Sequence, residues 1–196
     1  MKVLGIYGSP RSGGNTDIVL DRVLEGAASR GAEISRIYAR DLKIAGCRNC
    51  GGCAKTGECV NKDEMEPIYP QLTAARVIFL SSPVFFYNVS AQVKALIDRS
   101  QALWSRRMLM KDRGERKRYD GGTGYLVMVG ATKGSNLFAG SELTARYFFD
   151  ALDMSYGGGL FFRAEGKGDI LKNPEDLQKA FDFGAAAVDN ESGNKS

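Results

Sequence analysis

The sequence predicts one doubly wound α/β domain, with a parallel sheet of five strands in the order 2-1-3-4-5 and helices on both faces. Short apolar runs such as Lys2–Tyr7 and Val77–Leu80 alternate with longer stretches of helical periodicity, which is the pattern of repeated strand–helix–strand units. Polar or turn-rich loops follow the first, third and fourth of these runs, and in this strand order those loops converge at the point where the winding reverses. The chain has 196 residues, 43% hydrophobic and 26% charged, which suits a single core.

Taken in order, Lys2–Tyr7 reads as a buried first strand. It breaks at Gly8-Ser-Pro-Arg-Ser-Gly-Gly-Asn-Thr16, and Asp17–Arg30 is helical with Ile18, Val19, Val23 and Leu24 on one face. A strand, a Gly/Ser loop and a helix present backbone N–H groups to a phosphate. Ser9, Ser12, Asn15 and Thr16 add side-chain hydrogen bonds and Arg11 a charge-assisted one. The loop lacks the Gly-Lys-Ser/Thr ending of a P-loop and is not Gly-x-Gly-x-x-Gly, so a mononucleotide is expected rather than a dinucleotide. The plainer alternative is a helix start capped by Asn15 or Thr16.

Glu33–Tyr38 reads as the second strand, and Asp63-Glu-Met-Glu-Pro67 as the acidic opening of a helix. Val77–Leu80 is the third strand, running into Ser81-Ser-Pro-Val-Phe-Phe-Tyr-Asn88, an aromatic turn that can offer a planar ring a flat apolar wall. Ser90 caps a helix expected over Ala91–Trp104, with Val93, Leu96 and Ile97 inward and Lys94, Asp98 and Arg99 on a solvated or partner-facing side. Residues 106–118 form a basic insertion, read as a solvated segment or an acidic partner's docking patch. Tyr125–Val129 is the fourth strand, ending in Gly130-Ala-Thr-Lys-Gly134; Gly140–Leu152 is a helix, and Met154–Phe162 the fifth strand. A last helix runs from Asn173 toward Val188, so the domain is expected over 1–188 with a disordered tail at 189–196.

All four cysteines lie in Cys47-Arg-Asn-Cys50-Gly-Gly-Cys53-Ala-Lys-Thr-Gly-Glu-Cys59. Glycines at 51, 52 and 57 let this loop curl so that its thiols face one object. Close Cys-x2-Cys-x2-Cys spacing is a known way to hold a [4Fe–4S] cluster. A Zn(Cys)4 site, disulfides and ordinary free thiols are the alternatives, although structural zinc usually takes two separated cysteine pairs. No charged-then-apolar leader opens the chain, so a reducing, cytoplasmic setting is expected. There is no histidine, which removes histidine-based acid–base catalysis and metal ligation. The net charge of +4 is too mild to imply nucleic acid, and no apolar run is long enough to span a membrane.

The loop after the first strand, the stretch Pro83-Val-Phe-Phe-Tyr-Asn-Val-Ser-Ala-Gln-Val-Lys-Ala-Leu-Ile-Asp-Arg99 and the cysteine run between them resemble the iron–sulfur flavoproteins, within the NADPH-dependent FMN reductases of flavodoxin-like fold. The resemblance implies FMN, with its phosphate on Ser9, Arg11, Ser12, Asn15 and Thr16. It implies an isoalloxazine against Pro83, Val84, Phe85, Phe86, Tyr87 and Asn88, with Ala131, Thr132, Lys133 and Gly134 on the other side. It also implies a [4Fe–4S] cluster on Cys47, Cys50, Cys53 and Cys59, and a homodimer or homotetramer that sets the cluster of one copy near the flavin of another. The expected role is an oxidoreductase passing electrons between FMN and the cluster, with ferredoxin or NAD(P)H as redox partner. The rivals are a cluster-free FMN or quinone reductase and a zinc-bearing binding module; only Tyr119 interleaves with the arginines that such a module would use on nucleic acid.

Overall fold

A computed structural model describes residues 1–114, 119 and 121–193. Five parallel strands form one sheet: β1 (Lys2–Tyr7), β2 (Glu33–Tyr38), β3 (Val77–Pro83), β4 (Thr123–Gly130) and β5 (Ser155–Arg163). Their order is β2-β1-β3-β4-β5, as the sequence predicts. The winding therefore reverses between β1 and β3, whose registers pair Val3 with Val77 through Tyr7 with Ser81.

Side chains alternate along each strand, so the apolar runs feed two cores. Leu4, Ile6, Ile78, Leu80, Leu126 and Met128 face one side. There they meet α3 (Ile68–Ala74), α4 (Ala91–Arg99), α5 (Gln101–Asp112) and α6 (Ala139–Ala151). Val3, Tyr7, Val77, Phe79, Val127 and Val129 face the other, against α1 (Asn15–Ser29) and α7 (Pro174–Gly193). A single helical turn, α2 (Cys53–Thr56), interrupts the cysteine loop.

Several expectations are corrected by packing. The helix after β3 does not run unbroken to Trp104; it ends at Arg99, and α5 starts after Ser100 and absorbs residues 106–112 of the basic stretch. Arg107 is not solvated. It forms ion pairs of 3.0 Å with both Asp150 and Asp153, which fasten α5 to the end of α6. Residues 115–118 of that stretch lie outside the described residues. The last helix continues through 189–193 instead of fraying, because Glu191 is buried, paired with Arg76 and 2.8 Å from the Thr123 hydroxyl; residues 194–196 lie outside the described residues. Asp63 does not open a helix, since α3 begins after Pro67. Arg99, expected on a solvated side, is 1% exposed.

Candidate functional site

The loops after β1, β3 and β4 line one cavity of about 180 Å³ at the carboxyl edge of the sheet. Ser9, Arg11, Asn15 and Thr16 come from the first loop, Pro83, Val84 and Phe85 from the second, and Ala131 from the third. The first loop is held open by its own hydrogen bonds. The Ser9 hydroxyl accepts from Arg11 N–H (3.1 Å) and donates to the Arg11 carbonyl (2.9 Å). Gly13 N–H donates to the Asp17 carboxylate at 3.1 Å, and Arg40 pairs with the same oxygen at 2.9 Å. Burial pushes the Asp17 carboxyl up from the ordinary range, with the Arg40 charge opposing it. Gly14, not Asn15 or Thr16, is the N-cap of α1 and offers no side-chain cap. The first N–H groups of α1 therefore keep their bonding capacity for an anion.

The second loop is a two-residue turn closed by Phe85 N–H to Asn88 O (2.9 Å) and Asn88 N–H to Phe85 O (3.0 Å). Phe86 and Tyr87 adopt φ of 49° and 60°, the left-handed region that side chains resist. Phe86 is wholly exposed and Tyr87 half exposed. At the base of this loop the buried Ser90 hydroxyl donates to the Gly8 carbonyl, and Ser90 N–H donates to the Ser82 hydroxyl at 2.9 Å. Ser90 thus joins the loop after β1 to the loop after β3.

A second cavity, of about 170 Å³, is lined by Cys47, Cys50, Cys53 and Cys59 together with Arg99, Gln101, Trp104 and Ser105. The four cysteines are free thiols, so the disulfide alternative is not adopted. Gly57, at φ 73°, turns the loop where a Cβ would lie 2.9 Å from the Arg106 Cα, so glycine is required twice over. The Ser105 hydroxyl donates to the Cys53 Sγ at 3.4 Å. Among the described residues no three of His, Cys, Asp or Glu converge on a point that could hold one metal ion. All four cysteines line the second cavity, and the two cavities share no lining residue.

The family model described as NADPH-dependent FMN reductase matches residues 1–163. This chain belongs to the NADPH-dependent FMN reductase family. Among its curated relatives, an iron–sulfur flavoprotein of Methanosarcina thermophila is 38% identical over 113 residues, covering 58% of this chain and 59% of that one. An iron–sulfur flavoprotein of Methanocaldococcus jannaschii is 32% identical over 166 residues, covering 82% of this chain and 77% of that one. The chain spans about half the length of the first curated relatives it matches, between 45% and 59%. A flavodoxin from the domain Archaea superposes with a TM-score of 0.55 at 14% identity, covering 98% of this chain and 99% of that one, which establishes the flavodoxin-like fold.

In this family member the cavity gathers only part of the expected residue set. Ser12 is absent from its lining, as are Phe86, Tyr87, Asn88, Thr132, Lys133 and Gly134. Asn88 turns toward α6, its carbonyl oxygen accepting from the Thr144 hydroxyl at 3.2 Å. Tyr87 crosses to the third loop, where its hydroxyl would lie 2.6 Å from a Cβ on Gly134. The Thr132 and Gly134 carbonyls accept from Arg163. Conversely, Ala164, Glu165 and Lys167 form a fourth wall that the sequence reading missed. Asn15 secures it, donating to the Gly166 carbonyl (2.8 Å) and accepting from Gly168 N–H (2.9 Å). A Gly-Lys-Gly turn after the fifth strand was the available signal. Among the described residues no helix is long and apolar enough to cross a membrane.

Proposed function

We propose that this chain is an FMN-dependent oxidoreductase that passes electrons between FMN in the first cavity and a [4Fe–4S] cluster in the second. The observation that carries the reading is the meeting of the loops after β1, β3 and β4 in one cavity at the strand-order reversal, where mononucleotides bind in such folds. The residues there suit the two ends of FMN. Arg11 and the free N–H groups at the start of α1 favour a phosphate, while Pro83, Val84 and Phe85 form an apolar wall for a ring. Ser12, Phe86, Tyr87, Asn88, Thr132, Lys133 and Gly134 remain part of the proposed FMN set, as the rim outside the lining, with Ala131 inside it. Arg40 neutralises Asp17 beneath the phosphate loop, so the anion does not face an uncompensated carboxylate.

The iron–sulfur part is supported by the relatives' names and by four free thiols on one cavity wall. A [4Fe–4S] cluster takes one thiolate per iron, and four cysteines lining one cavity supply that number. When bound, FMN exchanges electrons in pairs or singly and an iron–sulfur cluster exchanges them singly, so a nicotinamide and a one-electron carrier such as ferredoxin can both be served. This chain's own residues bind, orient and exclude water; the reading assigns none of them as a general base, consistent with the lack of histidine. A homodimer or homotetramer that sets the cysteine cavity of one copy beside the flavin cavity of another is part of the proposal, carried over from the resemblance of the sequence to the iron–sulfur flavoproteins.

Anaerobic purification followed by iron, sulfide, zinc and flavin analysis tests the reading. About four irons and one FMN per chain are expected. Zinc in place of iron would refute the cluster, and FMN reduction by NADPH with neither metal would leave a cluster-free reductase.

A further inference from the structure

Arg99, the last residue of α4, is the largest fully buried side chain in the protein among the described residues. Its fork reaches both ends of the cysteine loop. One terminal nitrogen donates to the Ala45 carbonyl at 3.0 Å and to Asp63 Oδ2 at 2.6 Å. The other donates to the Asn61 carbonyl at 3.3 Å and to Asp63 Oδ1 at 3.0 Å. Asp63 answers with a carboxyl held below its usual range by this guanidinium. The Tyr69 hydroxyl donates to the Arg99 carbonyl at 3.1 Å. Arg99 also lines the cysteine cavity, and its buried Nε has no hydrogen-bond partner.

We infer that Arg99 is the positioning residue of the cysteine site: it clamps the entry and exit of the 45–63 segment, and it sets the guanidinium of a buried Arg99–Asp63 ion pair on the wall of the cavity that holds the thiolate-bound group. The second half rests on the cluster reading above; the first does not. Residues 46–62 belong to no strand ladder, so a fork that ties 45 to 61 and 63 decides whether four thiols stay around one cavity. Lysine keeps the charge but cannot make the bidentate contacts. Reducing a thiolate-bound iron group adds negative charge, so a cation on the wall favours the reduced form and raises the potential. Arg48, on the same wall but exposed and bonded to the Asn61 side chain at 2.7 Å, is screened by water and serves as the control.

The test compares Arg99→Lys, Arg99→Gln, Asp63→Asn and Arg48→Gln. In the metal-free chain, amide hydrogen exchange over 46–62 is expected to quicken more than about tenfold in both Arg99 variants, with the amides of β1 and β3 unchanged. Unchanged exchange over 46–62 overturns the clamp. In the anaerobic holoprotein, redox titration is expected to give a lower midpoint for Arg99→Gln, and a midpoint near that of the parent for Arg99→Lys and Arg48→Gln. Equal midpoints in the parent and Arg99→Gln overturn the charge role. If the Arg99 variants do not fold, Asp63→Asn decides the clamp, with faster exchange over 46–62 expected and unchanged exchange refuting it. If the purified protein holds no iron, the charge role falls with the cluster reading, while the exchange result still judges the clamp.

Discussion

Ser90→Ala removes the hydroxyl that joins the two principal loops of the proposed flavin cavity. That hydroxyl is fully buried, donates to the Gly8 carbonyl and accepts from Val93 N–H at 3.5 Å as the cap of α4. Losing an N-cap costs about 1 kcal/mol. Leaving a buried carbonyl without its donor costs a further ~1–3 kcal/mol. The variant should therefore lose about 2–4 kcal/mol, a large share of the ~5–15 kcal/mol that holds a domain of this kind together. Glycine is nearly as good a cap as serine in backbone terms, so Ser90→Gly should recover about 1 kcal/mol of the loss while still lacking the bond to Gly8. Urea unfolding of the flavin-free chain, followed by circular dichroism, measures both through the shift of the midpoint at constant slope. Gly8 begins the phosphate loop, so FMN titration should show affinity weakened by roughly tenfold, equivalent to about 1.4 kcal/mol, in both variants. A stability loss below about 1 kcal/mol, or unaltered FMN affinity, would refute the coupling of these loops through Ser90.

Arg40→Met strands the Asp17 carboxylate, which is 5% exposed, and should cost ~3 kcal/mol at pH 7. Burial already raises the folded pKa of Asp17, so the protonated form is favoured on folding and the penalty should shrink as pH falls toward 5, visible in unfolding curves at the two pH values. Phe86→Asn places a residue that tolerates φ near 50° at a strained position and should raise stability by ~0.5–1 kcal/mol in the same urea assay; a loss instead would mean that the phenyl ring makes a contact that offsets its strain. Gly57→Ala forces a Cβ against the Arg106 backbone at φ 73° and should cost ~2 kcal/mol and reduce iron bound per chain, measured on anaerobic preparations; unchanged iron content would show that the turn at 57 does not shape the thiol cavity.

The periodicity of the chain carried most of the fold. Lys2–Tyr7, Glu33–Tyr38 and the runs at 77 and 125 are each strands where the sequence places them, and the order of alternation fixes which ends share an edge. The cavity at the sheet edge was legible to the same extent, because Ser9, Arg11, Asn15, Thr16, Pro83, Val84, Phe85 and Ala131 sit in loops whose convergence follows from strand order; that they hold FMN is the proposal above. The fate of individual charged side chains was not legible. Arg99, Arg107 and Glu191 look like solvated residues in a one-dimensional reading, since long charged side chains are rarely buried without a partner. Their partners are distant: Asp63 for Arg99, Asp150 and Asp153 for Arg107, Arg76 and Thr123 for Glu191.

The sequence by itself determined the strand order, the edge at which loops meet and the grouping of four thiols within thirteen residues, because hydrophobic period and spacing are local properties of the chain. Only the tertiary structure decided that the turn after β5 closes the cavity at the sheet edge and that the cysteine loop is fastened at both ends by a buried guanidinium. Those outcomes depend on which polar groups find partners once the helices dock, and that pairing is settled by distances across the fold rather than by separation along it.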